Sequence, residues 1–568
     1  LRPQDDIEMA ETILRAPVRL FGALTPWRLG CWGIALVVAA PLLGVVASMG
    51  GADGATLRHL AATTLPEILA NTLALAVIVA LGTGILGIAT AWLVTMCRFP
   101  GSRTLEWALL LPMAMPAYII GYAYTDLLAF AGPVQTALRE VFGWRRGGYW
   151  FPDIQSVGGA GTMFVLVLYP YVYLMARAAF LEQSVCVLEA SRMLGARPWR
   201  SFVAVALPLA RPAIAGGVAL ALMETLADFG TVQYFGVQTF TTAIYRTWYG
   251  MGDRAAAAQL ASMLLGVVLA LLIMERTSRG RARFHHTSRR YRAIRPLALS
   301  GWRAIAAILA CATPVVLGFV LPVWMLARLH AIAGDRISPS LFASLAANSL
   351  AIAGLAAAMT VAAALVLGYG QRQGASRWTA VAIRFATMGY AIPGTVIAVG
   401  VVIWLGQLDN AVDRWARATF GIPTGLLLSG SIAALLFAHL VRFLSVASSA
   451  VDAGLGRITA SMDDAARTLG ATAARILARV HAPMMRASVL TAATLVFVDV
   501  LKELPATLLV RPFNFDTLAV HVYALAADER LAEAAAPALA IVLAGLTPVA
   551  ILSLMIRAGR AGRGGSAS

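Results

Sequence analysis

Long apolar runs alternate with short polar loops along almost the whole chain. The runs lie at 29–49, 67–95, 105–130, 160–181, 206–228 and 255–275. Six more follow at 303–327, 342–370, 380–406, 425–447, 483–504 and 534–556. Each approaches or exceeds the ~20 apolar residues an α-helix needs to cross a hydrocarbon core. Backbone polar groups in lipid must be satisfied within the segment, so runs of this length predict helices. The pattern predicts an all-α polytopic membrane protein with twelve transmembrane helices. The first run has the length of a full span and is expected to be an uncleaved helix rather than a signal peptide.

Composition agrees. Of 568 residues, 60% are hydrophobic and 13% charged, against the roughly one quarter charged of a soluble domain. The net charge of +17 is almost wholly arginine, and Lys502 is the one lysine. The arginines are not clustered on a soluble domain, which argues against a nucleic-acid partner and for a lipid environment. They mark alternate loops: Arg98 and Arg103; Arg192, Arg197 and Arg200; and a basic stretch from Arg276 to Arg295. The positive-inside rule puts these loops and both termini in the cytoplasm. Arg139, Arg145 and Arg146 lie on the opposite side and weaken that asymmetry without reversing it. Cys31, Cys97, Cys186 and Cys311 are scattered and predict neither a zinc site nor a disulfide framework. His285 and His286 sit in the basic loop, where contact with lipid headgroups is expected rather than metal binding.

The chain is duplicated. Glu189-Ala190-Ser191-Arg192-Met193-Leu194-Gly195-Ala196 is followed by Pro208, thirteen positions past the glycine. Asp464-Ala465-Ala466-Arg467-Thr468-Leu469-Gly470-Ala471 is followed by Pro483 at the same spacing, 275 positions on. Asn71 and Asn348, and Pro116 and Pro393, repeat at an offset of 277. Glu224 and Asp228 repeat as Asp499 and Glu503 at 275. Six spans per half is an even number, so the halves are parallel repeats about an axis along the membrane normal. The duplicated loop predicts helix, break, helix, with Gly195 and Gly470 in left-handed C-caps.

Acid, small residues, three positions, glycine and a distant proline resemble the EAA loop of type I ABC importer permeases. In that family the loop is a coupling helix seated in a cleft of the ATPase. The resemblance implies coupling roles for Glu189, Ala190, Arg192 and Gly195, and for Asp464, Ala465, Arg467 and Gly470. Ser191 and Asp464 depart conservatively from the family pattern. Glu224-Thr-Leu-Ala-Asp228-Phe-Gly-Thr, together with Lys502-Glu503-Leu-Pro through Asp516 and then Asp528-Glu529-Arg530-Leu531, resembles the fused two-domain permeases of ferric-iron importers. Thiamine and phosphonate permeases are close relatives.

The resemblance implies a leader and first span at 1–65 and a first permease domain at 66–275. A basic linker follows at 276–302 and a seventh span with its outer loop at 303–341. The second permease domain is 342–557 and the tail 558–568. It also implies a bacterial inner-membrane location, a homodimeric ABC ATPase holding ATP and Mg, and a periplasmic or lipid-anchored substrate-binding protein. The chain lacks a GxxxxGK[ST] phosphate loop, so neither ATP binding nor enzyme activity of its own is expected.

Charged residues inside spans are costly and mark function by default. Glu224 with Asp228, and Asp499 with Glu503, are spaced i,i+4 and so share a helical face. Counted from Pro208 and Pro483, they lie roughly 24–30 Å along the span, towards its outer end. They are candidates for an acidic pore mouth, with oxygen ligands suited to a hard cation. Ion pairs or gate latches are the equal alternative, with Lys502 available to neutralise Asp499 or Glu503. No metal site is assigned. Asp126 is expected at an interface, and Tyr122, Tyr124, Tyr169, Tyr171 and Tyr173 in interfacial belts. The outer segments 229–254 and 505–533, and the aromatic loop at 131–159 with Trp144, Tyr149, Trp150 and Phe151, are where a binding protein would dock. A proton-driven secondary transporter using the four acids as a relay is the rival class.

Overall fold

The computed structural model describes residues 26–48, 55–145, 148–182, 198–279, 297–334, 337–372, 376–456 and 458–561. Eleven helices among them are long and apolar enough to cross a membrane, and one bent pair makes a twelfth. In chain order the first six are α1 (Pro26–Ala47), α2 (Leu65–Met96), the bent α3 (Ser102–Ala114 with Ala117–Phe142), α4 (Val157–Leu181), α5 (Phe202–Ala227) and α6 (Arg254–Glu275). The second six are α7 (Trp302–Ile332), α8 (Pro339–Arg372), α9 (Gly394–Phe420), α10 (Ile432–Leu455), α11 (Ala474–Leu501) and α12 (Leu531–Ile551).

The third and ninth apolar runs are broken rather than continuous. Pro116 and Pro393 exclude the helical conformation at the residue before them. Met115 and Ile392 are accordingly extended, with ψ of 117° and 129°. In each half a short 3₁₀ turn precedes the break, at Leu111–Ala114 and Gly389–Ala391, and a new helix starts after the proline. The two parts of α3 meet at 91°.

Prolines at 208 and 483 have a different local effect. Proline lacks an N–H and crowds the carbonyl four residues back. A π turn lies just before each proline, opening α5 at Phe202–Ala206 and following the first few residues of α11 at Leu477–His481. The wider turn accommodates the crowded carbonyl and rotates the side chains it carries.

Repeat symmetry extends to single hydrogen bonds. The Asn71 amide donates to the Gln238 carbonyl at 3.1 Å, and Asn348 to the Asp516 carbonyl at 3.1 Å. The leading helix of each half crosses to the other. α1 packs on α8, α9 and the Arg377–Ala386 helix of the second half, and on α6. α7 packs on α2, α3 and α4 of the first half, and on α12. Gly400 permits the α1–α9 crossing, because a side chain there would meet the Pro41 carbonyl. After the basic linker the chain returns through a two-residue parallel bridge, Cys97–Arg98 with Leu297–Ala298.

The tyrosines expected in interfacial belts are inside instead. Tyr169 and Tyr173 are fully buried, their hydroxyls donating to the Leu109 and Glu106 carbonyls. Tyr122 and Tyr124 are buried too. An apolar ring with one polar tip is equally suited to a protein interior that offers a backbone acceptor.

Candidate functional site

All four candidate acids line one cavity of about 120 Å³ between the halves. α5 and the segment after it contribute Glu224 and Asp228, while α11 and its continuation contribute Asp499, Lys502 and Glu503. Tyr118 joins them just past the Pro116 break, Tyr390 just before the Pro393 break, Tyr171 from α4, and Arg442 from α10.

The expected shared helical face does not persist within either pair of acids. α5 stops at Ala227, and Asp228 is its extended C-cap, with ψ of 140°. Its carboxylate accepts from the Thr231 N–H at 2.8 Å and the Thr231 hydroxyl at 3.0 Å, starting the short helix Gly230–Tyr234. Glu503 does the same in the second half, beyond the end of α11 at Leu501. It accepts from the Ala506 and Thr507 N–H groups, both at 2.8 Å, and from the Thr507 hydroxyl at 2.7 Å. An acid at a helix start satisfies N–H groups that have no intrahelical partner. Asp228 and Glu503 are therefore helix caps, and only Glu224 and Asp499 lie within the spans.

The cations divide the remaining work. Arg442 lies 3.3 Å from Glu503 and His439 3.6 Å from it, all three buried. Lys502 pairs with Asp499 at 3.0 Å. Glu224 faces the same cavity as Tyr390 and Tyr171. Three of the four acids are thus engaged within the protein. Among the described residues no group of three or more His, Cys, Asp or Glu is placed to hold a metal ion. The rule that singles out acids inside spans applies equally to His439 and Arg442 in the tenth apolar run, so both were detectable in the sequence.

Of the two repeated loops, residues 183–197, with Glu189, Ala190, Arg192 and Gly195, lie outside the described residues. The second loop is described. Ala460–Thr468 is a helix, and Gly470 follows it in the left-handed region at φ 77°. Gly470 N–H donates to the Arg467 carbonyl at 2.9 Å and Ala471 N–H to Ala466 at 3.0 Å, a Schellman cap. Asp464 is solvent-exposed and meets only Arg467, at 3.3 Å. Leu469 is 88% exposed at the loop's tip.

Asp463, one position earlier, is the buried acid. Its carboxylate takes Arg372 Nε at 2.7 Å and His481 Nε2 at 2.7 Å. Burial pushes this carboxyl up, but the bonds from Arg372 and His481 outweigh it and hold the group below the ordinary carboxylate range.

Known proteins match this architecture. The family of binding-protein-dependent transport system inner membrane components matches residues 83–282. The Fe(3+)-transport system permease protein FbpB 2 of Haemophilus influenzae is 28% identical over 497 residues, covering 86% of this chain and 89% of that protein. The molybdenum transport system permease ModB of Escherichia coli is 31% identical over 206 residues, 34% of this chain and 87% of its own length. A putative 2-aminoethylphosphonate permease, PhnU of Salmonella choleraesuis, is 29% identical over 244 residues, 42% of this chain and 83% of that protein. With twelve spans in two parallel halves, this chain belongs to the binding-protein-dependent transport system inner membrane component family, as a multi-pass permease with the type I ABC importer fold.

Proposed function

We propose that the chain is the translocation subunit of a ferric-iron importer. Similarity running through 86% of the chain, and 89% of the relative, to a protein named as an Fe(3+)-transport system permease carries this assignment. Cargo passes between the halves, through the cavity lined by Glu224, Asp228, Asp499 and Glu503. The basic loops and both termini face the cytoplasm. There the loops 189–195 and 464–470 each dock one protomer of a dimeric ATPase, which binds ATP and Mg. A substrate-binding protein delivers cargo to the outer segments 229–254 and 505–533. ATP-driven closure of the ATPase rocks the halves, opens the cavity outward and takes the cargo; hydrolysis returns it inward. Asp499 and Glu503 serve as latches through Lys502 and Arg442, while Glu224 is the carboxylate placed to meet cargo.

The relatives named for molybdenum and 2-aminoethylphosphonate support a second assignment. Lys502 and Arg442 are the cations an oxyanion would need in the same cavity. Liposomes holding the chain with its ATPase and binding protein separate the two. Accumulation of ⁵⁵Fe from a ferric-loaded binding protein, dependent on ATP, is the expected result. Uptake of 2-aminoethylphosphonate without iron would replace the first assignment. Uptake that follows a proton gradient without ATP would remove both.

A further inference from the structure

The helix Ala460–Thr468 is tied to the membrane-spanning bundle by Asp463, the acid beside the motif. Arg372 ends α8 and His481 lies in the π turn near the start of α11, so Asp463 bridges two spans at once. Arg372 donates further to the Leu455, Ile458 and Thr459 carbonyls at 2.9, 2.8 and 3.2 Å, gripping the end of α10 and the start of the loop helix. His481 is fully buried, with Nδ1 unpartnered and its ring against Tyr369. With a carboxylate facing Nε2, that nitrogen is the donor.

The repeat does not duplicate these three residue types. At the same offsets the first half carries Leu188, Thr95 and Ala206 in place of Asp463, Arg372 and His481. Its own buried ion pair, Arg177 with Glu106 at 2.5 Å, joins α4 to the start of α3 instead.

We propose that Asp463 is the positioning residue through which displacement of the second coupling loop reaches α8 and α11. The proposal rests on the coupling role assigned above. A charge-paired acid between two helices transmits force along both, whereas an exposed acid such as Asp464 acts only on what docks against it. Asp463 touches neither cargo nor nucleotide and acts through the spans it holds.

The experiment reads ATP hydrolysed per cargo molecule imported, in liposomes holding the full chain, its ATPase and its cargo-loaded binding protein. Native chain is run first with ⁵⁵Fe; absence of iron uptake overturns the cargo assignment alone, and the ratio is then taken with 2-aminoethylphosphonate. For Asp463→Asn the ratio rises about tenfold, with hydrolysis near native and uptake reduced. Asp463→Glu restores it to within about threefold, and Arg372→Met adds little to Asp463→Asn because both break one junction. Thr95→Ala leaves the ratio unchanged. If Asp463→Asn fails to assemble, His481→Ala removes one arm only and should raise the ratio about threefold. A native ratio in Asp463→Asn or His481→Ala overturns the proposal. So does a parallel fall of hydrolysis and uptake, which would mean that Asp463 only seats the ATPase.

Discussion

Replacing Glu503 by Gln separates a fully buried latch from a partly exposed one. The substitution keeps the shape of the side chain and removes its charge. Both carboxylate oxygens of Glu503 accept backbone N–H bonds, and its side chain is 2% exposed. A glutamine offers one oxygen, so one buried N–H of Ala506 or Thr507 loses its acceptor, at about 1–3 kcal/mol. Arg442 loses its counter-charge as well, and breaking one side of a buried pair costs about 3–5 kcal/mol in all. Asp499 and Lys502 are 19% and 26% exposed, so Asp499→Asn should cost less, about 1–2 kcal/mol. The order is measured by denaturant titration of the purified protein in mixed micelles. Arg442→Met combined with Glu503→Gln should recover the part of the loss due to the unpaired charge and leave the part due to the lost N–H acceptor. Equal destabilisation by Glu503→Gln and Asp499→Asn, or no recovery in the double variant, would refute the reasoning.

Gly470→Val forces a β-branched residue into a left-handed conformation and should cost roughly 1–2 kcal/mol of local stability, seen as faster amide exchange across 460–468. Asn71→Ala and Asn348→Ala each delete one bond of equal length, so their losses of about 1 kcal/mol should match to within a few tenths in the same titration. At Gly230 an added Cβ meets Leu504 of the other half and Tyr118 of its own, and Gly230→Val should reduce uptake severely while membrane insertion is kept. The depressed carboxyl of Asp463 is stabilising above the ordinary Asp value of about 3.9, and that contribution is lost as pH falls through its lower folded value. Native and Asp463→Asn stability should therefore converge only below about pH 4, and convergence between pH 7 and 5 would contradict the junction.

Much of the fold was legible because the bilayer imposes one requirement, apolar length, that twelve runs meet openly. The repeat was legible because its glycines, prolines and acids keep fixed spacing. What the spacing cannot show is which neighbour turns inward. Asp463 and Asp464 differ by one position, about 100° around a helix, and packing against Arg372 and His481 decides between them. Arg442 and Glu503 are 61 positions apart and meet only through tertiary packing. The caps at Asp228 and Glu503 were hidden for a related reason: i,i+4 spacing predicts a shared face only while the helix continues, and both helices end inside the interval.

The crossing of α1 onto the second half sets the order of assembly. At roughly 5–20 residues per second, the ribosome needs about 20–70 s to travel the approximately 350 residues between α1 and α9. Once α6 is made it can cover part of α1, but the face that meets Gly400 through Pro41 and Val45 stays turned to lipid or to the insertion machinery until α9 arrives. A helix made early is thus completed late, and one of its faces is exposed to mispairing for much of the chain's synthesis. A single continuous chain keeps the awaited partner tethered to the helix that waits for it, which two separately translated halves would have to achieve by diffusion in the membrane plane.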